Sequence, residues 1–186
     1  FEVVYLSMDP GYSPENREKV LSGAAALGIV PEVFETDIYQ VVEGVVHSPC
    51  HVCAAMRRGY LYKEAQKRGC NKIALGHHRD DVAETILLSV LYGGQFKTMM
   101  PRLKSENYEG MELVRPLCLV REKAILNWLA TTGITTTSCA CRVTRSPDGG
   151  KRARVKRLLA ELENEQANVI DNIIASSENV NLSTLI

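Results

Sequence analysis

KIALGHHRDDVAETILLSVLY, residues 72–92, is the stretch from which the architecture can be read. Lys72 to Leu75 is a short apolar run suited to a buried strand, and Gly76 is a turn residue. From Asp81 to Tyr92, Val82, Ile86 and Ser89/Val90 recur at helical spacing. Working upstream, Phe1 to Ser7 reads as a strand, followed by the turn Asp9-Pro10-Gly11-Tyr12 and a helix with Ser13 as cap and Pro14 at its first position, ending at Gly28. Val30 to Thr36 is extended, Asp37 to Val46 is a short helix or turn, and a helix runs from about Cys53 to Arg68 with Gly69 as a left-handed cap. Downstream, Gly93-Gly94 opens a basic, Met-containing loop, Glu112 to Arg115 is extended, and Arg121 to Thr131, Lys151 to Glu165 and Asn168 to Glu178 are helical. Strand and helix alternate at least three times, which predicts an α/β fold: a parallel sheet covered by helices, binding ligands beyond the carboxyl ends of its strands. The loops after Leu6, Thr36 and Leu75 are then the candidate site.

The charges balance overall, 22 Lys and Arg against 22 Asp and Glu, but not locally. Residues 1–49 hold two basic and eight acidic side chains, residues 50–72 six basic and one acidic, and residues 142–157 seven basic and one acidic. Two such basic blocks can meet a polyanion despite zero net charge, because phosphate contacts respond to the local field; helices that simply face solvent are the competing reading. No run of 18 apolar residues is present, so no membrane-spanning helix is expected, and the first residues lack the basic segment and cleavage site of a secretory leader. The 186 residues read as one domain without repeats or linkers, and a start at Phe1 rather than Met reads as a fragment. Six cysteines in a chain of this length point to metal or catalytic use in a reducing cytoplasm rather than to a disulfide framework.

Cys50-His51-Val52-Cys53 precedes a basic helix, and 85 residues separate Cys53 from Cys139-Ala140-Cys141. Thiolates at these spacings suit zinc or an iron–sulfur cluster; a redox dithiol and unrelated buried cysteines are the alternatives. Four ligands would close a structural zinc site, whereas three would leave a reactive position open. Cys70 and Cys118, among apolar neighbours, read as core. Gly76-His77-His78-Arg79-Asp80-Asp81 places two imidazoles and two carboxylates at the end of a strand, an arrangement suited to bound nucleotide and magnesium, with Asp80 and Asp81 available for a cation or for proton transfer. The competing reading makes Asp80 or Asp81 a helix cap. Asp148-Gly149-Gly150-Lys151 follows no strand and lacks the full phosphate-loop pattern, so it reads as a surface turn. Beyond it, Lys151, Arg152, Arg154, Lys156 and Arg157 lie close together, either to hold a phosphate backbone or to solubilise a helix.

Cys50-His51-Val52-Cys53 with Arg57-Arg58-Gly59, then Leu75 through Thr85, resembles the PP-loop ATP pyrophosphatase family, and more closely the tRNA 2-thiocytidine synthetases of the TtcA type. The likeness continues through Tyr92-Gly93-Gly94, Arg115-Pro116-Leu117, Arg121-Glu122-Lys123, Cys139-Ala140-Cys141-Arg142 and Glu178-Asn179-Val180-Asn181-Leu182, nearly the whole chain. The resemblance implies a Rossmann-like adenine nucleotide alpha-hydrolase fold, a homodimer, and ATP- and Mg2+-dependent thiolation of a tRNA cytidine at C2. In that chemistry the base carbonyl oxygen attacks the α-phosphorus of ATP, pyrophosphate leaves, and a sulfur nucleophile then displaces AMP. A [4Fe-4S] cluster on three cysteines maps onto Cys50, Cys53 and one of Cys139 and Cys141, with sulfur arriving from a donor such as a cysteine desulfurase. By motif match Asp81 is the catalytic acid or magnesium ligand, with Asp80 beside it, and Arg57 lies next to the cluster. A guanidinium hardly deprotonates, which argues against proton transfer by Arg57. Gly76, His77, His78 and the turn at Asp9 are assigned to the nucleotide, and Arg58, Lys97, Arg115, Lys151, Arg152 and Arg154 to RNA. Sulfur transfer to another base or to a small molecule is the neighbouring alternative, and a zinc-stabilised nucleic-acid-binding module the non-enzymatic one.

One departure stands out. The family's S-G-G-x-D-S loop, whose amides cradle pyrophosphate, does not occur before the first strand. The chain therefore reads as starting at the family's second strand, with the first strand, loop and helix omitted, and as a poor ATPase by itself.

Overall fold

Strand β1 forms at Leu6–Asp9, with Met8 and Asp9 buried, and not from Phe1. The structure is a computed structural model that describes residues 1–46, 49–136 and 150–184. The late start follows the partner strand: β2 (Glu32–Glu35) pairs parallel with β1 from Leu6↔Glu32 to Asp9↔Glu35, framed by bonds from the Glu32 amide to the Tyr5 carbonyl and from the Thr36 amide to the Asp9 carbonyl, each 2.8 Å. Between them α1 (Pro14–Ala26) starts on the Ser13 cap, whose hydroxyl accepts from the Asn16 amide, with proline at the first position. Then follow α2 (Ile38–Glu43) and α3 (Pro49–Lys67). Met8, Ile38 and Val42 form the buried cluster here, with Phe34, Tyr39, Val52, Cys53, Met56 and Tyr60 packed against it.

These elements belong to the first of two compact units, which holds residues 1–70 and the segment from Leu126; residues 71–125 and the C-terminal segment make the second. In the second unit β3 (Lys72–Ala74) leads into α4 (Arg79–Gly93), which Gly94 ends in the left-handed conformation at φ +61°. The sheet is completed by β4 (Arg102–Lys104) and β5 (Glu112–Val114) in the order β3-β5-β4. β3 and β5 are parallel, as the alternation predicts, but β4 runs antiparallel to β5. The sequence reading treats β4 as loop: all three of its residues are exposed, so three letters carry no inward–outward alternation to read.

Helix α5 (Glu122–Thr132) follows, then α6 (Gly150–Glu165) and α7 (Val169–Ala175). α4, α6 and α7 pack through Ala83, Val155, Leu159 and Ile170, flanked by Leu87, Leu88, Ile173 and Ile174. Among the described residues no helix is long and apolar enough to cross a membrane.

Candidate functional site

The polar cluster of residues 76–81 sits where β3 runs out. The Leu75 amide still bonds the Val114 carbonyl, after which the chain leaves the sheet and enters α4. The helix cap is His78, neither Asp80 nor Asp81 alone. Its Nδ1 accepts from the Asp81 amide at 3.3 Å, and Asp81 Oδ2 accepts from the His78 amide at 3.0 Å, a reciprocal capping box. This box aims the first turn of α4, so that consecutive side chains meet different helices. Arg79 donates to Asp171 on α7 at 2.6 Å and 2.9 Å. Asp80 accepts from Arg121 Nε at 3.1 Å and from the Glu122 amide, the first of α5, at 2.7 Å. Asp81 and Glu84 share Arg152 on α6, at 3.2 Å and 2.9 Å.

Electrostatics separate the three carboxylates. Burial opposes ionisation of Asp80, but the bonds from Arg121 and the Glu122 amide outweigh it and hold its carboxyl below the usual range. Glu84 is 3% exposed, and burial pushes its carboxyl up, with Arg152 offsetting part of the rise and Asp81 adding to it. Asp80 is thereby a fixed anion inside a cross-brace, as Arg121 also reaches Glu163 of α6 at 2.8 Å. Asp81 Oδ1 faces the half-exposed Arg152 at 3.2 Å, while its Oδ2 stays on the His78 amide. His77 is held below the ordinary imidazole value by burial first, against the pull of Asp81 and reinforced by the Arg115 and Arg152 guanidinium groups. Its Nδ1 is buried without a hydrogen-bond partner among the described residues. A neutral imidazole with an orphaned nitrogen at the end of a parallel strand fits a ligand that supplies the missing bond. Among the described residues no group of three His, Cys, Asp or Glu side chains is set to hold a metal ion.

Other residues singled out in the sequence fall in the first unit. Asp9 is 6% exposed, and its Oδ1 accepts from the amides of Gly11 at 2.9 Å and Tyr12 at 2.7 Å, so its carboxylate shapes the turn after β1. Gly11, at φ +106°, allows the chain to fold back on that oxygen. Helix α3 begins at Pro49, four residues earlier than the sequence suggests, because proline is favoured at the first helical position. Cys50 and Cys53 therefore stand one turn apart on a shared helical face, Cys50 exposed and Cys53 partly buried against the Met8 cluster. Arg57 and Arg58 are exposed on the next turn. Cys139 and Cys141 lie outside the described residues, as do Asp148 and Gly149. Cys70 and Cys118 are half-buried rather than core.

The residues assigned to RNA divide. Lys97 is exposed, with its amide on Ser89 Oγ at 3.0 Å, and Arg115 braces the start of β4 through the Met100 carbonyl. On α6, Arg152 and Lys156 turn towards carboxylates, Lys156 to Glu122 at 2.6 Å, while Lys151 and Arg154 border a cavity next to Tyr92. Sequence reasoning missed Arg121, Glu84 and Glu163 as parts of the cluster. Glu84 carried a usable signal: a charge lodged between Ala83 and Ile86 in an apolar run. Arg121 carried one as well, in the motif Arg121-Glu122-Lys123, whereas Glu163, 42 residues further on, carried none.

Comparison with known proteins bears on the same segment. A family model described as the PP-loop domain matches residues 38–139. The tRNA-cytidine(32) 2-sulfurtransferase of Anaeromyxobacter sp. (strain Fw109-5) is 39% identical over 180 residues, covering 94% of this chain and 57% of that protein. That of Geobacter sulfurreducens is 36% identical over 183 residues, covering 97% of this chain and 70% of its own length. The chain thus spans little more than half of the first of these relatives. Among solved structures, the U34-tRNA thiolase NcsA from Methanococcus maripaludis with its [4Fe-4S] cluster superposes with a TM-score of 0.74 at 18% identity, over 94% of this chain and 60% of that one. At that identity the likeness speaks for the fold, an α/β arrangement with parallel strand pairing, in keeping with the sequence reading.

Proposed function

The chain belongs to the PP-loop domain family and, within it, to the group of the tRNA-cytidine(32) 2-sulfurtransferases, and from that premise we propose that it is part of an ATP-dependent tRNA thiolase acting on C2 of an anticodon-loop cytidine. The observation that carries this reading is the 39% identity over 94% of the chain, because it spans the Cys50–Cys53 pair and the residue 76–81 cluster together. The cytidine carbonyl oxygen attacks the α-phosphorus of ATP, pyrophosphate departs, and a sulfur nucleophile replaces AMP at C2.

The residues of the second unit take distinct parts. The His77 Nδ1 donates or accepts one bond to the bound nucleotide, the partner it lacks among the described residues. Asp81, which meets the His78 amide with one oxygen and Arg152 with the other, is the carboxylate assigned to the nucleotide's Mg2+ or to proton transfer. Asp80, locked by Arg121 and the Glu122 amide, orients α4 instead of reacting.

The cysteine pair suits an iron–sulfur cluster by the chemistry of its donors: two sulfurs one helical turn apart, one exposed, are soft ligands with an approach from solvent. Cys50, Cys53 and one of Cys139 and Cys141 would hold a [4Fe-4S] cluster, which supplies, when bound, an iron with an open position for sulfur. Arg57, one turn beyond Cys53, contributes fixed positive charge rather than a proton. A cysteine desulfurase is the class of donor, a homodimer the assembly and the cytoplasm the compartment that this reading carries with it.

Mass spectrometry of tRNA nucleosides tests it. A strain lacking the gene should lose 2-thiocytidine, the wild-type gene should restore it, and Cys50→Ala should not. Normal 2-thiocytidine with Cys50→Ala would reject the reading, and loss of a different thionucleoside would move the substrate to another base.

A further inference from the structure

α6 presents two basic faces, and only one is spent inside the protein. Arg152 and Lys156, four residues apart, pair with Asp81, Glu84 and Glu122. Lys151 and Arg154, three apart on the other side, make no ion pair among the described residues. They border a cavity of about 750 Å³ between the end of α4 and the first three turns of α6, lined by Tyr92, Gly150, Lys151, Arg154, Arg157, Leu158 and Glu161. An adjoining hollow of about 310 Å³ has the apolar walls Leu91, Tyr92, Val155 and Leu158. The Lys151 ammonium lies over the Tyr92 ring, 5.0 Å from its centre.

We propose that this cavity binds one unpaired nucleotide of an RNA, with the phosphate on Lys151 and Arg154 and the base on the Tyr92 ring. A nucleotide has the same two-part character as the cavity, an anion beside a flat, largely apolar ring, and base stacking on aromatic side chains is the usual means of holding unpaired bases. The opening of α6 adds partial positive charge at the phosphate end. Glu161, a turn or two further along, repels a phosphate but accepts a hydrogen bond from a ribose 2′-hydroxyl or a base amino group, which sets the direction of the nucleotide along the helix. The Lys151 ammonium over Tyr92 already occupies the ring as a cation does in the absence of a base; on binding it moves to the phosphate.

This inference rests on the reading that the protein acts on tRNA, and the following experiment separates the two. Binding of a fluorescent unmodified tRNA transcript by the full protein is measured against salt for wild type, Lys151→Gln/Arg154→Gln, Tyr92→Leu and Tyr92→Phe. Lys19→Gln, which removes a charge from α1, is the control. The double variant should weaken binding and reduce the slope of log affinity against log salt by about 0.7 for each phosphate that is no longer neutralised. Tyr92→Leu should weaken binding by about 5- to 100-fold with the slope unchanged, and Tyr92→Phe should restore it. Unaltered affinity and slope in these variants, with wild type binding the transcript, would overturn the cavity while leaving the thiolase reading in place. No binding by wild type would bring down both. Displacement of the transcript by ATP from wild type but not from Lys151→Gln/Arg154→Gln would make this a mononucleotide site and overturn the RNA assignment.

Discussion

Breaking the pair between Arg121 and Asp80 should cost the protein stability in a way that a double-mutant cycle can isolate. Arg121 Nε lies 3.1 Å and 3.3 Å from the two oxygens of Asp80, and among the described residues the other hydrogen bond to that carboxylate comes from the Glu122 amide at 2.7 Å. The Asp80 side chain is 14% exposed and that of Arg121 35%. Hydrogen bonds to charged groups contribute about 1.5–3 kcal/mol, and removing one partner of a fully buried ion pair costs about 3–5 kcal/mol. With a third of the guanidinium in water, screening places this pair below the buried range, and a coupling of about 2 kcal/mol is expected. In a chain of this size that corresponds to about 4–8 °C in Tm.

The assay is urea unfolding of wild type, Asp80→Asn, Arg121→Gln and the double variant at pH 7, with the coupling taken from the cycle. Because the folded Asp80 carboxyl is held low, its contribution is complete above the unfolded value of about 3.9 and is lost as pH falls through the lower folded value. The coupling should therefore shrink on acidification past that unfolded value. Independent sites add within about 0.5 kcal/mol, so a coupling no larger than that at pH 7, or one indifferent to acid, would refute the cross-brace. The same variants separate roles: Asp80→Asn should lower stability while the folded enzyme keeps its turnover, whereas Asp81→Asn should abolish turnover at nearly unchanged stability.

Anaerobically purified protein should contain about four iron and four sulfide per chain, lost in Cys50→Ser, in Cys53→Ser and in only one of Cys139→Ser and Cys141→Ser; one zinc without iron, with all four variants impaired, would replace the cluster by a closed structural site. Glu84 has a raised folded pKa, so its contribution to stability is complete below the unfolded value and is lost as pH rises through the folded one. Unfolding free energies from pH 4 to 8 should consequently decline less with pH in Glu84→Gln than in wild type, and equal slopes would dismiss the effect. His78→Ala removes the cap of α4 and should cost about 1 kcal/mol in thermal unfolding, with no loss pointing to a cap carried by Asp81 alone.

Much of the candidate site is legible in the amino-acid sequence because its signals are local. Residues 72–92 announce strand, turn and helix within their own span, and Pro14 and Gly94 mark a helix start and a helix end by backbone restriction alone. Where an element departs from its local signal, a partner elsewhere in the chain is responsible. β1 is confined to Leu6–Asp9 because β2 offers it partners only from Glu32 to Glu35, and β4 is a strand only because β5 offers it an edge. The helix bearing Cys50 and Cys53 is the exception: it begins four residues early for a local reason, Pro49.

Periodicity and motif spacing thus determined the α/β class, the place of the polar cluster at the end of a strand and the cysteine pair, and the resemblance of the ordered motifs pointed to the family that the comparisons show. Only the tertiary structure told Asp80 from Asp81, found Glu84 buried and His77 Nδ1 orphaned, and sorted the basic residues of α6 into Arg152 and Lys156, spent on carboxylates, and Lys151 and Arg154, left beside Tyr92. The reason is geometric. A helix turns by about 100° per residue, so adjacent charges face different neighbours, and which face meets a carboxylate, an aromatic ring or water depends on how α4, α6 and α7 are rotated against each other. That rotation is set by the packing of Ala83, Val155, Leu159 and Ile170, contacts up to 87 residues apart in the chain, which no pattern within one segment records.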